Sequence, residues 1–152
     1  MGIEWRESLA TGVEAIDNQH KELLLRFDRL LTACQAGQGV GELKKLQAFL
    51  GEYVITHFND EEGLQRLHGY PDYEAHHAEH LYFIDRINKL KEETQHEGVS
   101  THHVVETNNM LLKWLLNHIS KVDTKMGAFL KSSTPPINLA EGRIDMRPSA
   151  AE

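Results

Sequence analysis

"YEAHHAEHLYFIDRINKL", residues 73–90, spaces its aromatic, histidine and aliphatic positions three or four apart: Tyr73, His76, His80, Phe83, Ile87 and Leu90. An α-helix has about 3.6 residues per turn, so residues at this spacing lie on one face. His76 and His80 therefore share a face with the apolar residues, whereas His77 is turned away by roughly 100°. The stretch predicts a helix whose buried face begins with a pair of histidines.

Three further segments show the same periodicity. The first follows Asp17, the expected N-cap, and its stripe is His20, Leu23, Leu24, Phe27, Leu30, Leu31 and Cys34. The second ends near Gly69 and Pro71, and its stripe is Leu46, Phe49, Leu50, Tyr53, Val54, His57, Glu61 and Leu64. The last runs from about His102 to Leu130, with the stripe Val104, Asn108, Leu111, Leu115, His118 and Val122. Short connections between four amphipathic helices predict an all-α, up-down-up-down four-helix bundle.

The two ends of the chain lack this pattern. Residues 1–16, with Trp5, Leu9 and Val13, are expected to form an extended N-terminal arm that packs across the bundle. Residues 131–152 hold three of the four prolines and no helical stripe, which predicts a non-helical C-terminal tail. We therefore expect one domain, 1–130, with the bundle over 17–130, followed by the tail.

Composition excludes several classes of protein. The 152 residues carry a formal charge of -7, with 16 Lys and Arg among 23 acidic residues, so a nucleic-acid partner is not expected. The sequence has no apolar run of about 20 residues and no signal-peptide pattern, so we expect no membrane insertion and a cytoplasmic location. Cys34 is the single cysteine, which fits a reducing compartment.

Polar residues occupy stripe positions where a hydrophobic residue is expected: His20, His57, Glu61, His76, His80 and His118. A lone inward histidine is usually a hydrogen-bonded core residue. Histidines in register on all four helices, together with a carboxylate whose burial costs several kcal/mol, favour a metal site instead.

The number of ligands suggests two metal ions and one vacancy. Two octahedral ions offer about twelve positions, and five imidazoles, two bridging carboxylates and a bridging oxide or hydroxide leave about one open. One open position suggests a small ligand. Asp123 is the acid available after His118, but it lies about 140° around an ideal helix, so it must reach in from the flank or be helped by local unwinding.

The remaining histidines are interpreted as surface residues: His68, His77, His96, His102 and His103. Two Glu-x-x-His pairs, Glu74 with His77 and Glu93 with His96, have the spacing of a ferritin-type di-iron site. That site needs the pairs on two facing helices, whereas both lie on or just after one helix and off its core face.

Four segments, in order, resemble the hemerythrins, specifically the bacterial single-domain type. They are "GVEAIDNQHKELL" (12–24), "HFNDEE" (57–62), "GYPDYEAHHAEH" (69–80) and "WLLNHISKVD" (114–123). The resemblance implies two iron ions in an oxo- or hydroxo-bridged di-iron centre that binds O2 reversibly as a hydroperoxide at one open iron position. It implies that His76, His80 and His118 hold the closed iron, that His20 and His57 hold the open one, and that Glu61 and Asp123 bridge the two.

This resemblance predicts an oxygen carrier, storage or delivery protein rather than an enzyme. The alternatives are an O2 sensor module with a separate signalling partner, a di-iron oxidase or peroxidase in oxidative or nitrosative defence, and a bundle that holds structural zinc. We expect a monomer, and a protein recipient or signalling partner is not identified by the sequence.

Gln65 departs from the family, which usually has an apolar residue there. If its amide reaches the O2 pocket, Gln65→Met is predicted to slow decay of the oxy form; the alternative is that it points to the helix flank. Met126 replaces a frequent family aromatic, which we interpret as a packing change.

Overall fold

The computed structural model describes residues 3–37, 40–93, 95 and 100–132, with backbone alone at 40, 42, 43, 46 and 101. A short 3-10 helix, Glu7–Leu9, precedes the long helices. These are α1 (Glu14–Gln35), α2 (Val40–His68), α3 (Tyr73–Glu93) and α4 (Thr101–His118), and α4 continues through a π-helical turn (Ile119–Asp123) into α5 (Thr124–Ser132). α1 packs on α2, α2 on α3, and α4 on both α3 and α1, which closes a four-helix bundle and confirms the expected fold.

Two apolar clusters fill the bundle. The larger cluster includes Leu23, Phe27, Phe58, Phe83 and Ile119, and the smaller one consists of Val13, Ile16, Leu64, Tyr70, Met126 and Leu130, with Phe129 packed against it. Along α1 and α2, the polar stripe residues lie between members of the two clusters, so hydrophobic packing encloses them from both ends. None of the helices in the described ranges combines the length and apolar character needed to cross a bilayer.

The N-terminal arm packs across the bundle, but it is shorter than expected, because α1 begins at Glu14 and includes the last three residues of the predicted arm, 14–16. Leu9 and Val13 are buried. At Gly127 a side chain would overlap the backbone of Thr11, so glycine lets the arm approach α5 closely. The expected N-cap role of Asp17 is wrong: α1 begins at Glu14, and the Asp17 carboxylate accepts bonds from the arm, from Thr11 N and Oγ1 at 2.8 Å each.

Among the described side chains the predicted stripes are buried with five exceptions: Phe49 is exposed, and Leu31, Tyr53, Tyr73 and Val122 are half-buried. Phe49 is 58% exposed because the buried face of α2 passes through Leu50 and Val54, which leaves Phe49 at its edge. Val122 is half-buried, because the π-helical turn brings Ile119 and Asp123 inward instead. The Leu46 side chain and the tail beyond Ser132 lie outside the described residues, and the division into a domain and a tail stays a prediction.

Helix α2 ends where the sequence predicts. Gly69 adopts φ +66, a conformation that costs glycine little, and Tyr70 N–H donates to Gln65 O at 2.9 Å. This turn redirects the chain into α3, so the site residues of α2 and α3 face each other.

Candidate metal centre

The structure brings together all seven site residues predicted from the sequence. They come from every long helix: His20 from α1, His57 and Glu61 from α2, His76 and His80 from α3, His118 from the end of α4, and Asp123 from the π-helical turn. Each is at most 2% exposed. The cluster is therefore sealed from bulk solvent.

The Glu61 carboxylate spans two groups of histidines. Its Oε2 atom lies 3.0 Å from His20 Nε2 and 2.9 Å from His57 Nε2. Its Oε1 atom lies 3.5 Å from His76 Nε2 and 3.2 Å from His80 Nε2. One oxygen therefore faces a two-histidine group and the other faces a three-histidine group.

Asp123 repeats this division from the opposite helix. Its Oδ2 lies 3.1 Å from His20 Nε2, while its Oδ1 lies 2.9 Å from His76 Nε2 and 3.2 Å from His118 Nε2. The π-helical turn makes this possible, because Thr124 N–H donates to Ile119 O, five residues back, and the wider turn carries Asp123 to the face of His118. Of the two routes that the sequence left open, local unwinding is therefore the one observed.

The donor atoms fit a pair of metal ions. They form two groups that share both carboxylates: Glu61, His76, His80, His118 and Asp123 in one, and His20, His57, Glu61 and Asp123 in the other, with ligand atoms within 4.8 Å of one another. Several inward atoms lie close together without hydrogen-bond geometry: the Nε2 atoms of His57, His76, His80 and His118, Glu61 Oε1, and both Asp123 oxygens. These buried lone pairs converge without hydrogen-bonding to one another, and a shared cation would satisfy them.

Electrostatics in the cluster reflect the strong coupling of acids and histidines. Burial alone raises the pKa of Glu61, but His57, His20 and His76 outweigh it and hold this pKa well below its usual value. For Asp123, burial and Glu61 raise the pKa, and contacts with His118 and His20 reverse the direction. Burial lowers the pKa of His20, yet Asp123 and Glu61 raise it to about 9. Both carboxylates are therefore anionic, as metal ligands must be.

The outward Nδ1 atoms of four histidines are held by other side chains. His57 Nδ1 lies 2.6 Å from Gln19 Oε1, and His76 Nδ1 lies 3.0 Å from the Gln65 amide. His80 Nδ1 lies 2.6 Å from Glu62 Oε2, and His118 Nδ1 lies 2.8 Å from Glu79 Oε1. His20 Nδ1 is buried without a hydrogen-bond partner in the described residues. The two carboxylate partners thus fall on the three-histidine group, and such partners fix ring orientation and raise ligand basicity.

Sequence reasoning missed most of these partners. Gln19, Glu62 and Glu79 each adjoin a ligand histidine or Glu61 in sequence, and that adjacency is the one available signal. Of the two positions considered for Gln65, the exposed helix flank is excluded, because Gln65 is fully buried and its Nε2 also contacts Met126 Sδ at 3.0 Å. Met126 thus contacts Gln65, which in turn contacts His76 in the cluster.

The histidines interpreted as surface residues lie outside the cluster where the structure describes them. His77 is half-exposed, but its Nδ1 lies 3.0 Å from Glu62 Oε1, so it contacts the partner of His80. His103 pairs with Glu93 at 2.6 Å on the surface. Glu74 is exposed, so the first Glu-x-x-His pair is no core site; the second pair includes His96, which lies outside the described residues.

Comparison with known proteins identifies the family. The sequence profile of the "Hemerythrin HHE cation binding domain" matches residues 11–130. The chain belongs to the hemerythrin family. Hemerythrins bind O2 at a di-iron site, and the cluster described above is compatible with metal binding.

Individual hemerythrins support this assignment. The "Bacteriohemerythrin" of Pseudomonas aeruginosa (strain LESB58) is 33% identical over 122 residues, which cover 80% of this chain and 76% of that protein. The "Bacteriohemerythrin" of Methylococcus capsulatus is 32% identical over 80% of this chain and 91% of that protein. A crystal structure of wild-type hemerythrin aligns with a TM-score of 0.78 at 29% identity and covers 86% of this chain and 98% of that one. The expected resemblance is confirmed.

Proposed function

We propose that this hemerythrin is a reversible O2-binding protein that carries, stores or delivers oxygen without turnover. The observation that supports this most directly is the division of the two carboxylates, because Glu61 and Asp123 each turn one oxygen to the two-histidine group and one to the three-histidine group. A carboxylate placed in this way can bridge two ions.

The residues have distinct roles in this proposal. His76, His80 and His118 would hold one iron ion, His20 and His57 would hold the other, and Glu61 and Asp123 would contribute to both. The two-histidine group thus offers one protein ligand fewer, so an ion held there would leave a position for a small ligand such as O2. A bound pair of iron ions supplies the redox chemistry by which hemerythrins take up O2.

The chain favours binding over oxidation of substrates. Five neutral imidazoles and two carboxylates leave less negative charge on the ions than a carboxylate-rich site does, so O2 is less strongly activated. The ligands are buried between the two apolar clusters, which limits the access of water and of larger substrates.

Optical titration of the anaerobically reduced iron protein with air tests the proposal. We expect a visible charge-transfer band that forms with O2, disappears under vacuum and returns on re-exposure. Irreversible oxidation would instead indicate an oxidase or peroxidase. Stoichiometric zinc without iron in freshly isolated protein would contradict a di-iron function.

A further inference from the structure

Gln19 and Asp60 connect the outer edge of His57 to a second carboxylate. His57 Nδ1 lies 2.6 Å from Gln19 Oε1, and Gln19 Nε2 donates to Asp60 Oδ2 at 2.9 Å. His57 and Asp60 are three residues apart on α2, so they are neighbours on one face, and a single glutamine of α1 spans both. Asp60 belongs to neither of the two donor groups found among the described residues, although it directly precedes Glu61.

The position of the proton on the neutral imidazole decides whether His57 can bind a cation. His57 Nε2 faces the cluster, 2.9 Å from Glu61 Oε2 but without hydrogen-bond geometry. If Nε2 is to offer a lone pair to a metal ion, Nδ1 must carry the proton, and the Nδ1–H group then needs an acceptor. The carbonyl oxygen of Gln19 is that acceptor.

The amide of Gln19 can face His57 in two ways, and they have opposite effects. With its NH2 group towards Nδ1, the amide would favour the other tautomer, in which Nε2 carries the proton and has no lone pair for a cation. An ionised carboxylate only accepts hydrogen bonds, so Asp60 keeps the NH2 group on its own side and leaves Oε1 for His57. Gln19 is 1% exposed, so bulk water does not compete for the amide.

We infer that Asp60 is a positioning residue, which acts through Gln19 to keep the proton of His57 on Nδ1 and its Nε2 available to a metal ion. This inference rests on the proposed function, in which His57 is a ligand of the two-histidine group. Asp60 itself touches neither the ion nor O2.

The three-histidine group is supported differently. Glu62 and Glu79 contact His80 and His118 directly, at 2.6 and 2.8 Å. The carboxylate behind His57 is one amide further away, so it raises the basicity of this ligand less than a direct partner does. The two groups therefore differ in the charge behind their histidines as well as in their number of ligands.

Exchange of the two side chains separates positioning from packing. Asp60→Asn removes the fixed acceptor, since an asparagine can present either its oxygen or its NH2 group to Gln19. The double variant Gln19→Glu with Asp60→Asn keeps both shapes but moves the carboxylate to position 19, where it accepts from His57 directly. Asp28→Asn is the matched control, because Asp28 is also half-buried and accepts an N–H bond, but from Ile3 of the arm at 3.2 Å.

The first measurement is the rate at which the iron-loaded protein loses its first iron ion to a ferrous chelator. We expect Asp60→Asn to speed this loss about tenfold, the lower end of the effect of removing a partner of a metal ligand. The double variant should return to the wild-type rate, and Asp28→Asn should match wild type throughout.

Two further measurements respond to the imidazole itself. The N–H proton of an iron-bound histidine gives a hyperfine-shifted resonance that exchanges with D2O. One such resonance should exchange faster in Asp60→Asn and recover in the double variant. The midpoint potential of the iron centre should fall below the wild-type value in the double variant, because the carboxylate then lies directly on His57. A packing role would move neither quantity in this way.

Two results would overturn the inference. One is wild-type iron loss and N–H exchange in Asp60→Asn. The other is equally fast iron loss from Asp60→Asn and the double variant, because packing at position 60 would then be the cause.

Failure of the proposed function gives a different pattern. Faster iron loss in Asp60→Asn and its recovery in the double variant, but no reversible O2 complex in wild type, would overturn the carrier function alone. A reversible O2 complex with no effect of Asp60→Asn would overturn the positioning role alone. A protein that binds no iron would overturn both.

Discussion

His77 and His80, three residues apart on α3, show how orientation decides a residue's role. His80 Nε2 faces Glu61 inside the cluster, whereas His77 lies outside it and contacts Glu62. We predict that His77→Ala keeps the full iron content, because Glu62 still bonds His80 Nδ1 at 2.6 Å. His80→Ala should lose iron, as should His76→Ala. Iron per chain and the absorption spectrum measure this, and loss of iron in His77→Ala would contradict it.

Gln65 is a residue whose sequence context left its role open. Its contact with His76 Nδ1 indicates that Gln65 orients His76, a proposed ligand of the three-histidine group. Substitution of Gln65 is therefore expected to change iron retention more than the decay of the O2 complex. We predict that Gln65→Met weakens iron retention about tenfold, the lower end of the effect of removing a partner of a metal ligand. The rate of iron transfer to a ferrous chelator measures this.

Gln47 provides the matched control for Gln65. It is also a buried glutamine of α2, 5% exposed, but neither of its amide atoms has a hydrogen-bond partner in the described residues. Gln47→Met should therefore leave iron retention unchanged. If both substitutions accelerate iron loss equally, the contact between Gln65 and His76 is not the cause.

The π-helical turn, Ile119–Asp123, is the element on which the site depends most. In an ideal helix the residue four after His118, Val122, would lie nearest to its face, and Asp123 would lie on the flank. The turn reverses these positions, with Asp123 fully buried and Val122 half-buried. A rare helix type at a ligand position is typical of functional sites.

Exchange of the two residues tests the turn. We predict that the double variant Val122→Asp with Asp123→Val loses at least one iron ion, because the new carboxylate lies on the flank and the valine faces the cluster. Asp123→Asn serves as comparison, since it keeps the position and shape of the side chain but removes its negative charge and replaces one oxygen by an NH2 group. Full iron content in the exchanged variant would show that the helix can re-form as a regular α-helix and that the turn does not position the acid.

The sequence predicted those parts of the molecule in which periodicity alone decides burial. The stripe of α3 and the inward histidines follow from 3.6 residues per turn. The inward position of Asp123 could not be predicted in this way, because it depends on the π-helical turn, which the spacing between His118 and Asp123 does not reveal. Three further residues were predicted wrongly because local geometry decides their positions. Phe49 lies at the edge of its stripe, Asp17 accepts hydrogen bonds from the arm, and Val122 precedes Asp123 in the π-helical turn.

At the scale of the whole molecule, the cluster is both a site and part of the core. Glu61 and Asp123 are fully buried, and their burial in an apolar interior costs several kcal/mol unless cations compensate it. The five histidines come from the four long helices, so one cluster ties every helix to the others. We therefore expect metal binding at this cluster to contribute to folding as well as to the proposed function.

Removal of iron is predicted to lower the melting temperature without loss of helix. At a free metal concentration about 100 times the dissociation constant, binding stabilises the folded state by about 2.7 kcal/mol, which shifts the melting temperature by roughly 5–10 °C for a chain of this size. Thermal melts by circular dichroism before and after chelation measure the shift. In Glu61→Gln the shift should shrink, because a shared charged ligand is gone, whereas in His77→Ala it should match wild type. An unchanged melting temperature after complete chelation would show that the apolar clusters alone hold the bundle.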